Sequence, residues 1–500
     1  MTARWRGGRT KTVRWSFENA HDSSCVQQKS RWNALTMDPL SIEQITHFAG
    51  AVRQDIPAER IVTHLSTDSR TVQPGDLFVA LCGENFDGHK FVNDAFLRGA
   101  VGAIVEREWS GKARPDFALL RVTDTLAAYQ QIAAHYRRSL GLKVVAITGS
   151  NGKTSTKDFT ASVLAHRFHV AKTEGNLNNH VGLPQTILEA TARDEIGVWE
   201  IGMNHPGEIA PLARLAQPDI AIITNVGIAH LEFMRTRDAI AHEKGDLAAA
   251  VPTGGTVILN GGDEFADAIA QRTAARVILA GVDRGEVQAR EIVQTAEGAE
   301  FTVLEGAHRC HAVLPVPGMH MVQNALLAIA TGRVFGLSLE ECAAGLAAAP
   351  LTKARLEIKN IGGVQFIDDS YNANPESTKA ALHTLVELET DGQRIAVLGQ
   401  MAELGAESVK GHREVGQVAA ALGVDRLFTL GPGSAEIATA ARAAGLTNSA
   451  MVASAEEVAE LLCSLTHPGD LVLVKGSRSA RTERVLEEFA KRQLEIHCAS

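Results

Sequence analysis

Clustered cysteine is missing from this chain of 500 residues. Cys25, Cys82, Cys310, Cys342, Cys463 and Cys498 stand far apart with no C-x-x-C pair. That excludes a disulfide frame and a zinc cluster, and reads as the reduced thiols of a cytosolic protein. No apolar run reaches the length of a membrane-spanning helix. A basic surplus is lacking as well: a formal charge of −9 offers no field for nucleic acid. What is present is globular, 45% apolar and 21% charged, and too long for one core, so about two to four domains are expected. Residues 1–36 differ, with seven Lys or Arg against Glu18 and Asp22 and no apolar segment of the kind that opens a secretory signal. A transit peptide or a nucleic-acid arm would share that composition. The reading adopted is an upstream extension, with Met37 as the true start.

The chain is organised around Leu142 to Lys157. Val144 to Ile147 is a short β-branched run, read as a buried strand, and Thr154 to Arg167 has helical spacing. Between them stand Thr148, Gly149, Ser150, Asn151, Gly152, Lys153 and Thr154. A glycine turn opening a helix gathers free backbone N–H groups and the positive end of the helix dipole, which is where a phosphate sits. Lys153 is placed to reach the outer phosphates, and the Thr154 hydroxyl to hold Mg²⁺. The match is shorter than G-x-x-x-x-G-K-[ST], because Ile147 stands where that form has its first Gly.

From Met37 to about Glu108 the pattern is a small α/β unit, helical over Leu40 to Phe48, with strands at Ile61 to Leu65 and Asp76 to Leu81. Its loops hold Ser66, Asp68, Ser69 and Arg70, then Gly83 to His89, groups able to hold a sugar or a phosphate and equally common in turns. The block from about 120 to 340 alternates strand and helix, as a mostly parallel sheet covered on both faces does. It carries the amide-rich loop Asn176, Leu177, Asn178, Asn179. Glu200 and His230 fall at the carboxyl ends of strands, where open α/β sheets bind ligands; this suits Glu200 as a Mg²⁺ ligand or water-holder, although a strand-end Glu is more often simply solvated. Lys244 lies in a helical stretch and, on that position alone, is a surface lysine. Pro350 marks a joint before a second parallel α/β unit with strands at Val364 to Asp368, Arg394 to Leu398, Asp425 to Leu430 and Asp470 to Val474. Three polar loops sit on its strand ends: Asp368 to Pro375, Gly399 to Gly405, and Lys475 to Ser479. Three such loops on one rim argue for a site facing a cleft.

Together these motifs resemble the Mur ligase family, ATP-dependent amide-forming enzymes of the peptidoglycan peptide stem, from about Met37 to about Ala490. The specific part is the pairing of Asp369-Ser370-Tyr371-Asn372-Ala373-Asn374-Pro375 with Met401-Ala402-Glu403-Leu404-Gly405. It is closest to the branch that joins D-alanyl-D-alanine to a UDP-N-acetylmuramoyl-tripeptide. An Asp-Asn-Pro-Arg signature, typical of the ligases that add the third residue, is not found.

The resemblance implies an α/β, three-domain architecture: 37–120 holding the UDP-substrate, 121–349 a parallel-sheet P-loop ATPase, and 350–500 a mobile, Rossmann-like, dipeptide-binding domain. It implies a bacterial cytoplasmic enzyme, monomeric, with no nucleic acid and no membrane insertion. Asp68, Ser69 and Arg70, with Ser66, Asn176, Asn178 and Asn179, fall to the UDP-substrate. Asn324, Arg355, Asp369, Tyr371, Asn372 and Asn374 join the phosphate loop as ATP contacts. Glu403, Lys475, Ser477 and Arg478 fall to the dipeptide side. Thr154, Glu200 and His230 would hold Mg²⁺, with Lys244 as a carbamate, and Lys153, Glu200, His230 and Lys244 form the catalytic set. Departures from the family pattern are Gln400 for Asp, Lys353-Ala354 for Pro-Gly, Met321 for Asn, and Gly261-Gly262 for a more acidic turn. Competing readings are another ligase of this build, third-residue-adding or folylpolyglutamate synthase-like, and a non-catalytic nucleotide-binding scaffold.

Overall fold

The strand expected at Val144 to Ile147 runs over Lys143–Thr148 and lies inside a nine-stranded sheet. Its apolar run is continuous because both faces are covered. Val145 and Ile147 pack into one buried cluster with Phe159 and Val163 of the following helix, while Val144 and Ala146 pack into another with Leu183, Ile187 and Trp199. Full burial of each such Val or Ile contributes about 1.5–3 kcal/mol. This geometry comes from a computed structural model that describes residues 37–53, 59–83, 86–111, 116–350 and 352–499. The 1–36 extension, and Glu84 and Asn85 of the loop before His89, lie outside the described residues.

The central sheet is ordered Val170–Lys172, Ile196–Glu200, Lys143–Thr148, Ile220–Ile223, Thr256–Asn260, Arg276–Ala280, all parallel. It then continues where strand–helix alternation was expected, into an antiparallel meander, Val287–Thr295, Gly298–Glu305 and His308–Leu314. Val287 and Ala289 on the first strand, and Phe301 and Val303 on the second, turn inward at period two, so the meander extends the same core.

The N-terminal sheet has five strands in the order Val52–Arg53, Ala118–Val122, Gly102–Glu106, Leu77–Val79, Leu65–Ser66. Its strand Ala118–Val122 straddles the expected boundary at 120, so the chain leaves this sheet only at the helix Thr125–Leu140. The Asp124 side chain caps that helix and a left-handed Gly141 ends it. The helix Ile42–Ala49 starts on a Ser41 capping box.

The C-terminal sheet has six strands: Glu357–Ile361, Val364–Asp369, Leu471–Lys475, Arg394–Gly399, Arg426–Leu430, Ser449–Val452. All but the first pair are parallel. Leu356, Ile367, Met401 and Leu404 share one buried cluster with the central sheet, so the two units meet through apolar contact as well as across a cleft. The departure at Gly261 has a steric reason: a Cβ there would stand 2.0 Å from the Arg284 carbonyl oxygen.

Candidate active site

The carboxyl ends of the central and C-terminal parallel sheets border one cleft of about 1090 Å³. Ser150 to Thr154 form its floor, whereas Thr148 and Gly149 lie behind the wall. A Cβ on Gly149 would meet Thr224 Oγ1 at 1.8 Å, and one on Gly152, at φ 78, would meet Asn324 Oδ1 at 2.6 Å. Both glycines are therefore required by close approach. The loop is held from below. Ser150 N–H donates to the Asn225 carbonyl at 2.9 Å, Asn151 N–H to Asn225 Oδ1 at 2.9 Å, and Gly227 N–H to Ser150 Oγ at 2.8 Å. Lys153 opens the helix Lys153–Ala165 and its Nζ donates to Gly149 O at 2.7 Å. Dense surroundings push its pKa down, partly offset by the charge of Glu200.

Glu200 ends its strand 3% exposed, so it is not the solvated carboxylate common at strand ends. Its Oε2 accepts from Thr154 Oγ1 and its Oε1 from Asn178 Nδ2, both at 2.8 Å. Lys244 is not a surface lysine either. It sits on the helix Arg237–Ala249 at 1% exposure, and burial, then the charge of Lys153, pushes its pKa well down. The Thr154 hydroxyl and the Glu200 carboxylate, joined at 2.8 Å, offer the oxygen ligands Mg²⁺ prefers, whereas His230 offers nitrogen and lines the same cleft.

The C-terminal loops reach across. Arg355 donates from Nη2 to Thr154 Oγ1 at 3.1 Å and lies 4.3 Å over the Tyr371 ring. The neighbours of Arg355, Ala354 and Leu356, have φ of 56° and 53°, left-handed values that cost an L-residue energy. His230 Nδ1 lies 2.6 Å from Glu403 Oε2, and this imidazole holds the Glu403 carboxyl below its ordinary value. Asp369, expected at ATP, lines the cleft and pairs with Lys475, expected at the dipeptide: Nζ to Oδ2 is 2.6 Å, and Nζ also donates to Asn372 O at 2.9 Å. Asn372, Ser477 and Arg478 line the cleft, with Arg478 also donating to Glu483 Oε1 at 2.9 Å.

Asn176, Asn178 and Asn179 line the cleft, although the Asn179 side chain accepts from Val181 and Gly182 amides at the start of a helix. Ser66, Asp68, Ser69 and Arg70 are not among its lining residues. There Arg70 forks onto Asp68, Nη2 to Oδ2 at 2.6 Å, and its bonds lower the Asp68 pKa to about 2. Met321, the departure from Asn, is 5% exposed with its sulfur 3.9 Å from Asn324 Nδ2. Sequence reasoning missed Gln130, Arg237, His320 and Glu376, all cleft-lining. None stands in a local motif; each arrives by tertiary packing.

The chain matches three family models: Mur ligase family, catalytic domain, at 61–137; Mur ligase middle domain at 147–332; and Mur ligase, glutamate ligase domain, at 354–478. It is 38% identical to the UDP-N-acetylmuramoyl-tripeptide–D-alanyl-D-alanine ligase of Bacillus subtilis, over 87% of this chain and 95% of that one. It is 35% identical to the ligase of the same name from Escherichia coli, over 90% and 98%. Among solved structures it resembles MurF from Acinetobacter baumannii at TM-score 0.85 and 32% identity, covering 91% of this chain and 99% of that one. MurF ligase from Thermotoga maritima in complex with ADP aligns at TM-score 0.78 and 28% identity, over 86% and 98%.

Proposed function

The chain belongs to the Mur ligase family, and from that premise we propose that it ligates D-alanyl-D-alanine to a UDP-N-acetylmuramoyl-tripeptide at the expense of ATP. One observation carries the reading: the phosphate loop and the loops of the last domain that would present an amine border the same cleft. The peptide carboxylate is a poor electrophile. One of its oxygens forms a bond to the γ-phosphorus of ATP, ADP leaves, and an acyl phosphate results. The dipeptide amine then attacks the acyl carbon, loses its proton, and the tetrahedral intermediate expels phosphate as the amide forms.

Positioning and charge neutralisation do most of this work. Lys153 and the amides of Gly152 to Thr154 would face the phosphates, the Ser150 and Asn151 amides being held by Asn225, and Arg355 brings a second cation to Thr154. Thr154, Glu200 and His230 would hold Mg²⁺, which neutralises phosphate charge. Lys244 would complete that set as a carbamate. Burial favours its neutral amine, and a neutral amine adds CO₂ with loss of a proton, exchanging a cation for a two-oxygen anion. Asn324 lies at the nucleotide end. Glu403, Lys475, Ser477 and Arg478 border the dipeptide end, and the loop of Ser66, Asp68, Ser69 and Arg70 takes the UDP moiety. Three domains divide the chain, with the first boundary beyond Val122 instead of at 120 and the second at about 350. The working unit is a monomer of the bacterial cytoplasm, with no nucleic acid; no helix among the described residues is long and apolar enough to cross a membrane.

ADP release tests the reading. It should require both the UDP-muramoyl-tripeptide and D-Ala-D-Ala; release with neither would return the chain to the scaffold class, and release with a different amine alone would reassign the ligase.

A further inference from the structure

One carboxylate joins the two halves of the cleft and belongs to none of the motifs above. Glu376 sits in the first turn of the C-terminal helix Pro375–Glu387. Its Oε2 accepts from the Ile228 amide and from Asn151 Nδ2, each at 3.2 Å. Ile228 and Asn151 belong to the central domain, on the loop after the strand Ile220–Ile223 and on the phosphate loop. Asn374, the N-cap of the same helix, donates from Nδ2 to Asn151 Oδ1 at 2.7 Å. The orientation of Asn374 is fixed because its own Oδ1 accepts from Ser377 N at 2.9 Å. Both ends of the Asn151 amide are thus held by one helix terminus of the other domain. The Asn151 carbonyl meanwhile accepts from Thr224 Oγ1 and Asn225 Nδ2. The contact is also shaped sterically, since a Cβ on Gly227 would stand 1.7 Å from Glu376 Oε2. Gly227 has no positive φ, so its missing side chain makes room for the carboxylate and not for an unusual backbone.

We infer that Glu376 is a positioning residue that clasps the C-terminal domain onto the phosphate loop, setting the distance between the nucleotide and the loops that present the amine. The clasp acts through Asn151 and Ile228 and rests on the ligase reading above. Both bonds converge on one oxygen, so an amide oxygen in that place can accept them without the charge. Burial raises the pKa of this carboxyl, consistent with a group kept for its acceptor geometry.

The test compares Glu376→Ala, Glu376→Gln and Gly227→Ala in the full chain, with ADP release in the presence of both substrates and hydrogen exchange of the segment containing Ile228. A displaced acceptor shell of this kind costs about tenfold to 100-fold in rate. The inference expects that loss in kcat for Glu376→Ala and for Gly227→Ala, with the KM for ATP within about threefold of wild type. Exchange at Ile228 should quicken in both, and Glu376→Gln should recover most of kcat. Wild-type kcat in either folded alanine variant overturns the inference. So does a raised KM for ATP at unchanged kcat, which would make Glu376 a nucleotide contact, or a Gln variant as slow as Ala, which would make its charge the active property. An inactive wild-type protein would refute the ligase reading instead, and the exchange measurement would still decide whether the clasp exists.

Discussion

Two lysines line the cleft, one after the central sheet's strand Lys143–Thr148 and one at the end of the C-terminal strand Leu471–Lys475, and they are held in opposite ways. Lys153 donates to backbone carbonyls, and its depressed pKa marks an ammonium that the fold does not pair with a contacting carboxylate. Lys475, 3% exposed, is locked to Asp369 at 2.6 Å. The first arrangement keeps a cation available for something else that is negative. The second uses the cation to fix a loop. The central half of the cleft is thus built from backbone donors and a charge reserved for ligand, and the C-terminal half from side chains committed to one another.

Removing each lysine separates the two designs. Lys475→Ala leaves the Asp369 carboxylate buried without its partner, a change that costs about 3–5 kcal/mol. Thermal unfolding should show it as a large fall in Tm, and replacing Asp369 with Leu together with Lys475→Met should recover most of the loss. Lys153→Ala removes an ammonium that burial already disfavours, so Tm should hold, while ATP turnover falls about 100-fold or more from the uncovered phosphate charge. If Lys153→Ala unfolds the chain and Lys475→Ala does not, the contrast is wrong.

A smaller effect sharpens the boundary between the halves. Ala354, left-handed at φ 56 beside Arg355, stands where the family pattern has Gly. Relieving the strain, less the extra freedom glycine has when unfolded, should make Ala354→Gly more stable by about 0.5–1 kcal/mol. A Tm rise with unchanged kcat is the expected result. The smallest effect lies outside the cleft, at the surface pair of Asp68 and Arg70. Arg70 lowers the Asp68 pKa from 3.8 to about 2, so the contribution of the pair is full above the higher value and lost as pH falls through the lower one. With Arg70 almost fully in water the change should be slight, and Arg70→Ala should shift the acid limb of an unfolding titration only marginally.

Legibility followed sequence distance. Thr148 to Thr154 could be read because strand, turn and helix are contiguous and each element has a local cause. Four of the six C-terminal strands could be read from their apolar runs, to within a residue or two, while the edge strands Glu357–Ile361 and Ser449–Val452 were missed. The meander over 287–314 was missed because its strands bury alternate residues only, and a search for strand–helix alternation passes over that pattern. The burial of Lys244 and the pairings of His230 with Glu403 and Asp369 with Lys475 have no local signature. Glu376 is the extreme case, since its two partners lie 148 and 225 positions away. Family resemblance supplied residue names for the cleft but not which of them hold each other.

The central claim is that the phosphate-loop half activates a carboxylate for attack from the other half. Isotope transfer tests it most directly. With ¹⁸O in the terminal carboxylate of the UDP-muramoyl-tripeptide, ligation to D-Ala-D-Ala should deliver one labelled oxygen into each phosphate released. Product formation with unlabelled phosphate would contradict the acyl-phosphate route and the division of labour built on it.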